Sequence, residues 1–189
     1  GILAGDGLLN YAFEVALNSL DETEGADNRA VIRALKVLAQ KAGVYGMIGG
    51  QVVDVESEKQ YGISKNRLDF IYQLKTGALI EASMMIGAIL GGATEEEEKK
   101  IEEVASKIGL AFQIQDDILD VVGETETIGK TVGSDEKNQK ATYVIFEGLE
   151  KAKQEVVNLT SEAVGILQEL PYENPFLTEL LRWMVLREK

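Results

Sequence analysis

The 189 residues contain no cysteine, no histidine and only two prolines. Without cysteine there is no disulfide framework, no thiol nucleophile and no zinc–thiolate site. Without histidine, a Ser-His-Asp triad and imidazole metal ligation are both excluded. A metal site must then be made of oxygen, which favours a hard cation such as Mg²⁺ or Ca²⁺. The scarcity of proline permits long helices. Positive charge is also in deficit: 19 Lys+Arg against 32 Asp+Glu leave a net charge of −13. That sign disfavours nucleic acid and anionic membrane surfaces as partners. No apolar run reaches the ~18 residues of a membrane span and no signal peptide is visible, so a soluble, cytoplasmic protein is expected.

What is present fits one globular unit over residues 1–189. Hydrophobic residues make up 45% and charged residues 27%, too apolar for disorder and enough for a core. The first residue, Gly1, falls inside an apolar helical pattern and the first methionine is Met47, which reads as a stretch of a longer protein.

The periodicity is helical throughout. Leu9, Phe13, Ala16, Leu17 and Leu20 mark a first helix, followed by an acidic turn over 21–27. Asn28 is placed to cap a second helix through Val31, Leu35 and Leu38. Gly43, Gly46, Gly49 and Gly50 then cluster ahead of Gln51 and Asp54, and the glycines at 46, 49 and 50 read as close helix packing. Ser64 is placed to cap a long helix ending at Gly91-Gly92. Thr94 and Glu97 form a capping box for another, through Ile101, Val104, Ile108, Ile114 and Ile118. Glu95 to Glu98 at its start read as a solvated face that favours the helix dipole. Residues 123–140 carry little apolar content and read as a long, mobile loop of a kind that tends to be functional. Helix is expected again from Thr142 to about Leu170, and a last one after Asn174-Pro175.

The chemistry concentrates in Phe112-Gln113-Ile114-Gln115-Asp116-Asp117-Ile118-Leu119-Asp120. Asp116 and Asp120 stack on one helical face, one turn apart, with Asp117 beside them. At ~6 Å and an effective dielectric of ~20, each carboxylate pair costs on the order of 3 kcal/mol. Proton uptake, solvent exposure or a bound cation can remove that cost. Beside an apolar helix a divalent cation is the most economical, and Mg²⁺ takes one or two carboxylates plus phosphate oxygens.

Asp-Asp-x-x-Asp after Phe-Gln-x-Gln resembles the second aspartate-rich motif of the trans-type isoprenyl diphosphate (polyprenyl) synthases. Further segments match that family in order. Gly5-Asp6-Gly7-Leu8-Leu9 resembles its Gly-Asp-x-Leu helix, and Gly50-Gln51-Val52-Val53-Asp54 its Gly-Gln-x-x-Asp segment. Lys75-Thr76-Gly77-Ala78-Leu79 resembles its Lys-Thr-x-x-Leu helix, and Gly129 to Asp135 its Gly-Lys-x-x-Gly-x-Asp loop. Arg187-Glu188-Lys189 is similar to its basic C-terminus. The resemblance is nearest to the bacterial farnesyl diphosphate synthases (geranyltranstransferases). It covers their C-terminal two thirds; the first aspartate-rich motif and the segment after it have no counterpart here.

That resemblance implies an all-α, isoprenoid-synthase-type bundle around a central cavity, without its N-terminal helices. It implies a prenyltransferase that condenses isopentenyl diphosphate with dimethylallyl or geranyl diphosphate, giving farnesyl or a related prenyl diphosphate. Asp116, Asp117 and Asp120 would hold Mg²⁺, with Asp116 leading. Lys75, Lys130, Arg187 and Lys189 would bind diphosphate, and Thr76 and Gln113 would turn oxygen dipoles toward the carbocation. A homodimer is also implied. The alternative reading is a non-catalytic or regulatory subunit or fragment of such a synthase, whose function would not require these side chains.

Overall fold

The computed structural model describes residues 1–22, 28–58, 62–122 and 141–186. Among them every regular element is helical: α1 (Ile2–Glu22), α2 (Asn28–Ala42), α3 (Met47–Ser57), α4 (Lys65–Tyr72), a π-helical turn (Gln73–Gly77), α5 (Ala78–Leu90), α6 (Glu95–Val122), α7 (Tyr143–Glu147), α8 (Leu149–Gln168) and α9 (Pro175–Leu186). Most of the acidic turn expected over 21–27, the loop expected over 123–140, and Lys130, Arg187 and Lys189 lie outside the described residues.

Local chemistry sets the helix starts. The Ser64 hydroxyl accepts from the Arg67 N–H at 3.3 Å. Thr94 and Glu97 close their box reciprocally, with Thr94 N–H donating to Glu97 Oε2 at 2.6 Å and Glu97 N–H to Thr94 Oγ1 at 3.3 Å. Asn174 Oδ1 accepts from Leu177 N–H at 2.9 Å ahead of Pro175. Each cap satisfies a backbone donor that the helix itself leaves unpaired. Gly92, with φ of +85°, takes the left-handed conformation that stops α5.

Helix α6 is the axis of the bundle. Ile101, Val104, Ile108, Ala111, Ile114 and Ile118 recur three and four apart and are buried. They meet Ala152, Val156, Leu159, Ala163 and Leu167 of α8, and Leu181 and Val185 of α9, in one core. Burying each larger side chain contributes roughly 1.5–3 kcal/mol. On its other side α6 packs against α5 and the π turn, and α2 packs on α5. A cavity of about 560 Å³ lies between α5, α6, α8 and α9, walled by Met84, Ile101, Leu167 and Leu177 among others.

Two features differ from the helices expected from periodicity. The long helix from Ser64 to Leu90 is interrupted at Gln73–Gly77, where the backbone widens to π geometry; such turns recur at functional sites. The helix expected from Thr142 is broken at Gly148, whose φ of +84° and ψ of 156° separate α7 from α8. The solvated glutamate face also needs correction at one residue. Glu98 is buried, and its carboxylate takes both short bonds from the guanidinium of Arg33 on α2.

Candidate active site

The close approach of α6 to the π turn is set by glycine. A Cβ on Gly109 would sit 2.9 Å from the Cα of Gly77, so neither helix backbone can be held apart by a side chain there. From Gly109, positions four, seven and eleven residues on share its face of a 3.6-residue helix. Those positions are Gln113, Asp116 and Asp120. The two aspartates therefore continue the face of α6 that meets the turn carrying Lys75 and Thr76. Gln113, Asp116, Asp120, Lys75 and Thr76 are all half-buried, which leaves each within reach of a ligand.

Lys75 is held from the opposite side. A Cβ on Gly50 of α3 would fall 2.4 Å from the Lys75 backbone nitrogen and 2.8 Å from Leu74. This contact lets α3 lie directly on the π turn. One helical turn further, buried Asp54 accepts from Lys75 Nζ at 2.5 Å. An ammonium has three donors, so Asp54 orients the lysine and leaves donors for a ligand. Gly50→Ala is expected to drive α3 off the turn. It should cost about 2 kcal/mol, as overpacking typically does, and weaken pyrophosphate binding by about tenfold through Lys75. Urea unfolding and calorimetric titration check the two effects.

Asp117 is placed differently from its neighbours. It is buried, and its Oδ2 accepts from the Tyr72 hydroxyl at 2.5 Å and from the Tyr143 backbone N–H at 2.6 Å. Tyr143 begins α7, which Thr142 caps through Ile145 N–H at 3.3 Å. The Tyr143 ring lies under Lys65 of α4, with Nζ 4.9 Å from its centroid. Burial first, then the Glu155 charge, pushes the Tyr143 phenol up from its usual value of 10.0, so it stays neutral at ordinary pH.

The carboxylates suit Mg²⁺ only in company. Among the described residues no three acidic side chains converge tightly enough to hold a metal ion. Two half-buried carboxylates one turn apart are what Mg²⁺ takes from protein when phosphate oxygens supply other ligands. The donor set fits a magnesium diphosphate better than a free ion. Sequence reasoning missed the Asp54–Lys75 pair, the Tyr72–Asp117–Tyr143 knot and the π turn. The glycines at 50, 77 and 109, each where two helices touch, were the signal available for the packing.

A bundle of long helices with an Asp-rich turn facing a lysine-bearing turn defines an isoprenoid-synthase class of protein. The polyprenyl synthetase family model matches residues 1–170, and the chain belongs to that family. It is 37% identical over 187 residues to the farnesyl diphosphate synthase of Bacillus subtilis, covering 99% of this chain and 62% of that protein. It is 44% identical over 162 residues to the dimethylallyltranstransferase of Fischerella ambigua, covering 86% of this chain and 46% of that protein. Among solved structures it superposes on the geranyltransferase of Helicobacter pylori complexed with magnesium and isoprenyl diphosphate. That match has a TM-score of 0.78 and 33% identity, covering 97% of this chain and 58% of that one. The chain thus spans about half the length of the curated relatives it matches. No helix among the described residues is long and apolar enough to cross a membrane.

Proposed function

We propose that this chain carries the diphosphate-ionising half of a prenyltransferase site. The enzyme joins isopentenyl diphosphate to an allylic diphosphate, dimethylallyl or geranyl, to make farnesyl or a related prenyl diphosphate. The observation that carries this reading is the shared face: Asp116 and Asp120 continue the face of α6 on which Gly109 meets Gly77, the last residue of the turn that carries Lys75 and Thr76. The family membership and the magnesium and isoprenyl diphosphate held by the Helicobacter relative support it.

In this site Asp116 and Asp120 would hold Mg²⁺, which supplies Lewis-acid neutralisation of the diphosphate. Lys75, oriented by Asp54, donates to diphosphate oxygens and stabilises the charge that develops on them as the allylic C–O bond breaks. Thr76 and Gln113 turn oxygen dipoles toward the allylic carbocation. The isopentenyl double bond attacks the cation, and a proton is then lost to the released pyrophosphate. Lysines between the anion and an acidic protein resolve the sign conflict of a −13 chain binding a diphosphate. Lys130, Arg187 and Lys189, outside the described residues, are proposed as further diphosphate cations. A cytoplasmic homodimer completes the reading.

The test is turnover of the protein in its full length. Isopentenyl diphosphate with dimethylallyl or geranyl diphosphate is expected to give a longer prenyl diphosphate with Mg²⁺ and none with a chelator. Absence of elongation with either acceptor, together with absence of Mg²⁺-dependent pyrophosphate binding, overturns the reading.

A further inference from the structure

The geometry assigns Asp117 a positioning role and not a metal-binding one: its buried carboxylate ties the Lys75-bearing segment and the start of α7 to the turn of α6 that carries Asp116. The inference rests on the function proposed above, and it concerns how that site is kept in register.

Three elements converge on one oxygen. Tyr72 is the last residue of α4, directly ahead of the π turn that presents Lys75 three residues on. Its hydroxyl donates to Asp117 Oδ2, across 45 residues of sequence. The Tyr143 N–H donates to the same oxygen, across 26 residues. Tyr143 is further clamped through its ring by Lys65, one turn from Leu68 of the core. Asp117 ties the start of α7 to the last described turns of α6, within about 8 Å of Val122 along the helix axis.

The rest follows from burial. Asp117 is 6% exposed, whereas Asp116 and Asp120 are half-buried on the face toward the π turn. A buried carboxylate is retained where it receives hydrogen bonds, and removing it strands its donors. Its donors include the backbone N–H that opens α7 and the phenol of Tyr72, directly ahead of the lysine turn. Loss of the carboxylate lets the two halves of the anion site slide relative to each other while both keep their own residues.

Two readouts separate a positioning role from ligation: hydrogen exchange at the Tyr143 amide, and Mg²⁺-dependent affinity for inorganic pyrophosphate by calorimetry. Asparagine keeps an acceptor oxygen at the same place and removes the charge. Asp117→Asn is expected to keep the Tyr143 amide protected and to hold pyrophosphate affinity within about threefold of wild type, since hydrogen-bond geometry is preserved. Tyr72→Phe leaves every carboxylate of α6 in place and removes one hydrogen bond to Asp117. It is nevertheless expected to weaken pyrophosphate about fivefold, the cost of one buried hydrogen bond. Asp117→Ala should accelerate exchange at Tyr143 at least tenfold. The proposal is overturned if Asp117→Asn loses pyrophosphate as severely as Asp116→Asn while Tyr143 stays protected, because the charge and not the acceptor would then matter. It is equally overturned if Tyr72→Phe is silent in affinity, or if Asp117→Ala leaves the Tyr143 amide protected. Should wild type itself bind no pyrophosphate with Mg²⁺ and elongate neither acceptor, the function proposed above fails; the exchange arm still decides whether Asp117 holds α7.

Discussion

Asp116→Asn is expected to lower prenyl transfer by about five-hundredfold in the full-length protein. The change keeps size and hydrogen-bonding capacity and removes one negative charge. The reaction creates charge separation: a cation on the allylic carbon and growing negative charge on the diphosphate. Electrostatic groups that meet such charge in a preorganised, half-buried setting are worth roughly 3–4 kcal/mol each, and every 1.4 kcal/mol is tenfold in rate. Asp116 shares the face of α6 that meets the lysine turn, so in the proposed site its charge would fall beside the leaving group. Asp120, one turn further toward the helix end, should cost less, about tenfold as Asp120→Asn. Steady-state rates with saturating isopentenyl and geranyl diphosphates, over a Mg²⁺ series, measure both. If Asp116→Asn retains turnover within a few-fold of wild type at all Mg²⁺ concentrations, Asp116 is no part of the site.

Much of the framework was legible because its causes are local. The caps at Ser64, Thr94 and Asn174 depend on a side chain and a backbone N–H three residues away, and each forms as the residue types require. The core stripe of α6 was legible because Ile101 to Ile118 keep one period. The shared face of Asp116 and Asp120 needs only a spacing of four. What escaped depends on partners far along the chain. Asp117 and Asp116 are adjacent and chemically identical, yet Asp117 is buried against Tyr72 and Tyr143 while Asp116 is half-open. Glu98 reads as one of four equivalent acids until Arg33, 65 residues earlier, is laid against it. The π turn at Gln73–Gly77 has no periodic signature of its own; it is a one-residue register shift that the close contacts at Gly50 and Gly109 make possible.

The largest stability effect is expected from Lys41, which the motif series does not touch. Its ammonium joins Glu81 of α5 and, at 2.7 Å, Glu102 of α6, so one side chain of α2 pins α5 and α6 together. Burial by itself lowers the affinity of Lys41 for its proton. The hydrogen bonds it donates to Glu102 and Glu81, and the charges of those carboxylates, outweigh it and raise the group above its ordinary 10.5. Glu81 is 6% exposed, so Lys41→Met leaves a buried carboxylate without its cation. Breaking such a pair from one side costs about 3 kcal/mol, or about 9 °C in Tm for a chain of this size. Replacing both partners, Lys41→Met with Glu81→Leu, should recover most of that loss, because neither charge is then left buried. The pH dependence has a definite sign. A lysine raised in the folded state contributes its full stabilisation below its unfolded value and loses it as pH climbs through the folded one. The gap between wild type and Lys41→Met should therefore be constant from pH 7 to 10 and close only above about 10.5. Denaturant melts across that range decide it: a gap that already closes by pH 8 would mean that Lys41 is not held by Glu81 and Glu102 in the folded protein.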